Sequence, residues 1–208
     1  MSSVASPEEI CNIALDRIGY PQSIGDMFEG TKVARVGMRL YSQTRDDVMR
    51  AKDWPFAKRF VVASYFPSLA PPPPWLYEYI WPGDCLRLRY VMPTLATSSY
   101  PNNNPQAVLF EDINEQRVSP AVKAIVTNQV AATLVYTGQV VDMTTWDANF
   151  VDALVEALAR RFVIALGRSP DQLVPEVQLT EQAIDAALGA QANQPPDTAW
   201  QKGASGKR

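Results

Sequence analysis

A chain of 208 residues with 47% hydrophobic and 20% charged residues can bury one substantial core or two small ones. Its formal net charge of -3 excludes the global basic footprint of a nucleic-acid grip. The absence of histidine excludes His-based triads, imidazole metal ligands and imidazole proton shuttles.

Ser6-Pro7-Glu8-Glu9 supplies an N-cap, a proline at the first helical position and a capping-box glutamate. Ile10, Ile13, Ala14 and Ile18 then make one apolar stripe that Gly19 ends. The early residues are acidic, so this terminus does not read as a signal peptide. After a loop over 21–30, the spacing predicts a helix over 31–53. Its apolar face is Val33, Val36, Gly37, Leu40, Thr44, Val48 and Ala51, and Lys32, Arg35, Arg39 and Arg50 lie on the other side. Asp53-Trp54-Pro55 stops it, because proline disfavours helical backbone in the residue before it.

From Phe60 to Tyr136 the pattern changes to short β-prone runs at 60–62, 86–91, 108–110, 124–126 and 134–136. Turn-rich pieces such as Pro71–Pro74, Trp81–Asp84 and Tyr100–Pro105 separate them, predicting a small antiparallel sheet with long connections. A helical period returns at Asp147. Phe150, Leu154, Leu158, Phe162 and Leu166 recur every four residues, beside Val151, Val155, Ala159 and Val163, up to Gly167. Asp152, Glu156 and Arg160 form the narrow polar strip of this central helix. Ser169-Pro170-Asp171 opens a further predicted helix bearing Leu173, Val177, Leu179, Ile184 and Leu188. Residues 191–208 are polar, proline-containing and unable to bury a core, so they read as a flexible tail.

The resulting expectation is an α+β subunit with one domain over 1–190. A helical bundle comes from 6–57 and 147–190, and residues 58–146 form a small antiparallel β-rich insertion. No apolar run reaches the roughly 18 residues of a membrane span. Cys11 and Cys85 lack a CxxC partner, so free buried thiols in a reducing compartment are the better reading than a metal site, with a disulfide left open.

Few segments carry candidate chemistry. Gly25-Asp-Met-Phe-Glu-Gly30-Thr31-Lys32 looks like a phosphate loop, but threonine and lysine are exchanged and no strand precedes it. The basic face Lys32, Arg35, Arg39 and Arg50 reads as a solvated helix side or as a subunit contact. Asp46-Asp47 and the Asp152/Glu156 strip would provide its complement. Glu8/Glu9, Asp46/Asp47 and Glu111/Asp112 are adjacent carboxylates whose neighbours point in different directions, so none stands out as an acid/base pair. Trp200 in the polar tail is either an unanchored aromatic or a knob for a partner's pocket.

Several motifs occur in a fixed order: Ile10-Cys-Asn-x-Ala-Leu-x-x-Ile-Gly19; Tyr41-x3-Arg45-Asp46; Trp54-Pro55-Phe56-Ala57; Tyr77-x-Tyr79-x-x-Pro82-x-Asp84-Cys85-Leu86-Arg87; Tyr136; Asp142; and Trp146-x3-Phe150-x2-Ala153-Leu154. Over residues 7–190 this order resembles the head-to-tail adaptors of short-tailed bacteriophages, also called tail tubular protein A or tail accessory factor. The resemblance implies a structural protein and no enzyme, with no catalytic residue, metal or cofactor. It implies a dodecameric ring below the portal protein, at the head–tail junction of a virion assembled in a bacterial cytoplasm. A tail nozzle protein, similar to tail tubular protein B, would bind beneath it, and viral DNA would pass through without specific binding or membrane contact. In such adaptors the C-terminal segment grips the portal, which here implicates Trp200, Lys202, Lys207 and Arg208.

Trp54, Phe56, Tyr77, Tyr79 and Trp81 are then expected to lock the helical layer to the sheet as a structural aromatic junction. A mildly acidic chain suits a conduit that must not retain phosphates. The alternatives are a peptidoglycan-degrading virion hydrolase, alone or as a second activity of the adaptor, and a regulatory or nucleic-acid-binding module using the Arg35/Arg39 face.

Overall fold

A computed structural model describes residues 6–66, 70–93 and 108–167. Helix α1 (Pro7–Arg17) starts where the sequence places it, with the Ser6 hydroxyl accepting from the Glu9 N–H at 3.2 Å. Helix α2 (Lys32–Ala51) is capped by the Thr31 hydroxyl, which accepts from the Ala34 N–H. Helix α3 (Ala148–Leu166) is capped by Asp147 and closed by Gly167. Gly167 has φ of 72°, left-handed backbone that glycine adopts at no steric cost.

The first core is a three-helix layer. α3 packs against both α1 and α2, as the wide apolar face predicts. Phe150, Leu154, Leu158 and Phe162 are wholly buried, together with Ile10, Cys11 and Ala14 of α1 and Val33, Ala34 and Met49 of α2. Gly37 sets how closely α2 approaches the preceding loop. A Cβ there would stand 3.0 Å from the Ile24 side chain and 3.4 Å from the Met27 sulfur.

A one-turn 3-10 helix, Pro55–Ala57, leads from α2 into six strands. These are β1 (Lys58–Val62), β2 (Tyr77–Ile80), β3 (Cys85–Pro93), β4 (Phe110–Glu115), β5 (Val122–Thr127) and β6 (Ala132–Gly138). They form two three-stranded antiparallel sheets, ordered β1-β6-β3 and β2-β5-β4. The chain changes sheet just after β1. Ala63 N–H still donates to Ala132 of the first sheet, whereas the Ser64 carbonyl accepts from Ile80 and Phe66 N–H donates to Glu78, both in the second. Residues of both sheets share a second core of Tyr79, Val91, Ile125, Ala132, Leu134 and Tyr136.

These strands overturn the expected helical bundle with a small sheet inserted. Among the described residues the fold is a small α+β structure of three helices and two antiparallel sheets. The β region is no appendage of a bundle, because it buries its own aliphatic and aromatic core. Tyr77–Ile80, expected only as a junction, is a strand whose Tyr79 lies in the second core, and Phe110–Glu115 extends well past its one predicted β-prone piece. The helix predicted after Ser169 and the tail over 191–208 lie outside the described residues.

The Trp54 side chain anchors the end of α2 to α3. Its indole N–H donates to the Val48 carbonyl at 2.9 Å, and its ring meets Phe150 edge-on at 5.2 Å. Trp54→Ala is expected to lower the unfolding free energy by about 3–5 kcal/mol in urea titration, the usual cost of emptying a buried aromatic site. Trp54→Phe, which keeps a ring but loses the Val48 bond and part of the packed indole, is expected to cost less than Trp54→Ala.

Candidate functional site

The end of α2 is where aromatic and charged groups concentrate. Trp54, Phe56, Trp146 and Phe150 form one cluster, with Phe56 and Trp146 both edge-on to Phe150 at 5.0 and 4.9 Å. Such contacts let the negative ring faces meet positive ring edges. Tyr77, Tyr79 and Trp81 belong to the second core, where Tyr79 stacks on Tyr65 at 4.9 Å and its hydroxyl donates to the Gln129 carbonyl. The aromatic junction expected as one unit is thus two clusters, one in each core. A consecutive sequence reading could not separate them, because chain proximity hides which sheet each segment joins.

Arginines link the helical layer to the first sheet. Arg89 donates to the Trp54 carbonyl at 2.7 Å and to the Thr137 hydroxyl, and Arg87 pairs with Asp53. From the α2 side, Arg50 donates to the Leu86 carbonyl at 3.2 Å and pairs with Asp47 at 2.8 Å. Asp47 also receives Arg161 of α3 at 2.7 Å, and Asp46 receives Arg45 and the Gln139 amide. One face of α2 therefore ties α3 and the sheet together through carboxylates that satisfy two donors each.

This placement divides the expected subunit-contact residues. Lys32, Arg35 and Arg39 are exposed on α2. Arg50 works inside the subunit. Glu156 is only 3% exposed and accepts from Arg17 and Arg160 at 3.0 and 3.3 Å, so it does not present an acidic face. Asp152 is exposed and lies 3.8 Å from Arg17. The expected polar strip on α3 is thus half internal. Trp200, Lys202, Lys207 and Arg208 lie outside the described residues.

The glycine loop before α2 is filled by its own side chain. The Glu29 carboxylate accepts from the backbone N–H groups of Gly25 and Asp26 and from the Thr31 hydroxyl. These bonds, the Thr31 one foremost, hold Glu29 below the usual carboxylate range. The amides that a phosphate would need are already engaged. Both cysteines carry free thiols, and burial raises each to about 12, so they stay protonated and packed.

One charged cluster was not foreseen. Glu78 of β2 and Glu115 of β4 are both 3% exposed, and Arg117 bridges them. The Arg117 guanidinium reaches Glu78 at 3.1 Å and the Ala70 carbonyl at 2.8 Å, while its backbone N–H donates to Glu115 at 2.6 Å. Hydrogen bonds from Arg117 pull Glu115 down to about 2, whereas burial, and then the Glu115 charge, raises Glu78. Two carboxyls pushed apart in this way resemble an acid/base pair. Here both carboxyls are buried and hold the same guanidinium, so the cluster pins two loops to the second sheet. The only local sequence signal was the Glu115-x-Arg117 spacing, because Glu78 sits 39 residues away from Arg117.

Among the described residues no group of three or more His, Cys, Asp or Glu side chains could hold a metal, and no helix is long and apolar enough to cross a membrane. No protein-family model matches the chain, and no curated protein matches its sequence.

Arg117→Ala is expected to lower Tm at pH 7. Glu115 has a folded value near 2 against an ordinary 4.5, so its stabilisation is complete above about pH 4.5 and fades as pH falls toward 2. Glu78, raised in the folded state, has the opposite sign: its contribution is present below 4.5 and fades as pH rises through its elevated value. The Tm gap between parent and Arg117→Ala should therefore close between pH 4.5 and 2 in a series of thermal melts. A gap that widens in acid would contradict the assignment.

Proposed function

We propose that this chain is a structural adaptor of a short-tailed bacteriophage. As one subunit of a ring, dodecameric as the resemblance implies, it joins the portal to the tail nozzle while viral DNA passes through. The observation that carries this reading is what the motif residues do. Asn12 clamps the loop before α2 with two hydrogen bonds to Ile24, at 2.9 and 2.7 Å. Trp54 and Phe56 meet Phe150, and Asp84 accepts from the Tyr136 hydroxyl at 2.8 Å. Asp142 caps the turn before α3 through Thr144. Motif residues spread over most of the chain thus serve to fix one element against another. That supports a protein whose work is to hold shape and assemble.

In this reading the ring sits below the portal at the head–tail junction, in a virion assembled in the bacterial cytoplasm. The segment 191–208, with Trp200, Lys202, Lys207 and Arg208, grips the portal, and exposed Lys32, Arg35, Arg39 and Asp152 border neighbouring subunits. No cofactor enters the mechanism. Stiffness does the work, because a ring subunit whose helical layer and sheet are tied by charged contacts holds its neighbours at a fixed angle.

Electron microscopy of the protein mixed with portal is expected to show rings on the portal's tail side, and no ring under any ratio would sink the reading. Deleting 191–208 is expected to leave Tm unchanged and to weaken portal co-sedimentation. Trp200→Ala is expected to reproduce about tenfold or more of that loss, as a hot-spot aromatic does. Unaltered co-sedimentation of both variants would remove the docking role.

A further inference from the structure

We propose that β1 of one copy pairs edge to edge with β4 of the next, antiparallel and in a single register. The inference rests on the reading of this chain as an assembling subunit and deepens it by naming the two surfaces that meet. β1 is the outer strand of its sheet, and all five of its residues are exposed, Phe60 and Val62 each by 60%. β4 is the outer strand of the other sheet, whereas the outer side of β2 is taken by Ser64–Phe66. Among the described residues neither outer edge has a strand partner, and open edges carry unpaired N–H and C=O groups that invite another strand.

Charged residues alone would guard such an edge. Here the two edges complement each other. β1 reads Lys-Arg-Phe-Val-Val, and the approach to β4 reads Leu109-Phe-Glu-Asp112. Laid antiparallel, Lys58 stands opposite Asp112, Arg59 opposite Glu111, Phe60 opposite Phe110 and Val61 opposite Leu109. A slip of one residue in either direction sets Arg59 against Phe110 or Phe60 against Glu111. Directly opposed side chains have Cβ atoms about 4.5–5.5 Å apart, within reach of an ion pair or an aromatic contact.

The side chains concerned are exposed except Phe110, which is half-buried against the second core. Glu111 is exposed, and Leu109 is 75% exposed. Asp112 pairs with Lys123 at 2.7 Å while its side chain stays 51% exposed. Lys58 lies over the rings of Phe60 and Tyr90, at 5.0 and 5.6 Å. The Arg59 stem crosses Gly138, where a Cβ would fall 2.7 Å from its Cγ. β1 and β4 are different surfaces, so each copy offers one edge and receives the other. That contact is heterologous and yields a ring or a helical filament, never a two-fold dimer.

The test is disulfide trapping in the full-length chain after Cys11→Ala and Cys85→Ala, with Tm confirming the fold. Val61→Cys with Leu109→Cys is expected to give a head-to-tail ladder on mild oxidation at millimolar protein. Val61→Cys with Ile113→Cys, four residues out of register, is expected to give none. Lys58→Glu with Arg59→Glu should cut the matched ladder at least tenfold, and adding Glu111→Lys and Asp112→Lys should restore it. No ladder, or a ladder indifferent to register and charge, overturns the pairing. So does a ladder appearing only after residues 168–208 are deleted, which would assign the edge to the chain's own C-terminal part. Rings without the matched linkage would discard the pairing and spare the adaptor reading. Matched linkage in open filaments that never close on portal would do the reverse.

Discussion

The indole of Trp54 is the fixed point of this molecule. At the end of α2 the last carbonyls have no partner within the helix, and Trp54 returns its N–H to one of them, Val48. Its own carbonyl takes Arg89 from the sheet, and its ring closes on Phe150 of α3. One residue thereby sets the exit angle of α2, the position of β3 and the depth of α3. Pro55 then forces the turn, since the residue before a proline is driven out of helical backbone.

Around that point the charged contacts repeat one arrangement: an arginine from one layer meets a carboxylate or carbonyl from another. Arg50, Arg87 and Arg89 do so between helix and sheet, and Arg161 and Arg17 do so between helices. Most of these pairs are partly exposed, where each alone is worth little. Together they fix orientation, which an apolar core by itself leaves looser. Arg117 repeats the arrangement in the second sheet, holding two buried carboxyls and the Ala70 carbonyl. On the proposed adaptor reading, orientation is the property that matters.

The helices were legible because their ends are written locally: Ser6 and Asp147 cap, Gly167 terminates, and the apolar period between them is long. The face of α2 was less so. Tyr41, Arg45 and Met49 are buried while Ala51 is exposed, so the true stripe is rotated from the one that hydrophobicity alone suggests. Arg45 reads as a surface residue until Asp46 is seen to pair with it at 2.8 Å. β2 and β4 were missed or cut short because Glu78 interrupts a tyrosine run and Phe-Glu-Asp-Ile-Asn-Glu is too acidic to suggest a sheet. Their burial depends on Arg117 and on strands distant in sequence, and no local pattern encodes that. Of the candidate site residues, spacing put Trp54 and Phe56 at the end of α2, where they meet Phe150, but could not show that Glu156 turns inward.

The loop before α2 has a consequence for anything that moves past the protein. By seating the Glu29 carboxylate on the amides of Gly25 and Asp26, the chain fills this glycine loop with its own acid. A passing polyanion meets repulsion there instead of a cradle. At this loop the choice against phosphate is made by a single acidic side chain.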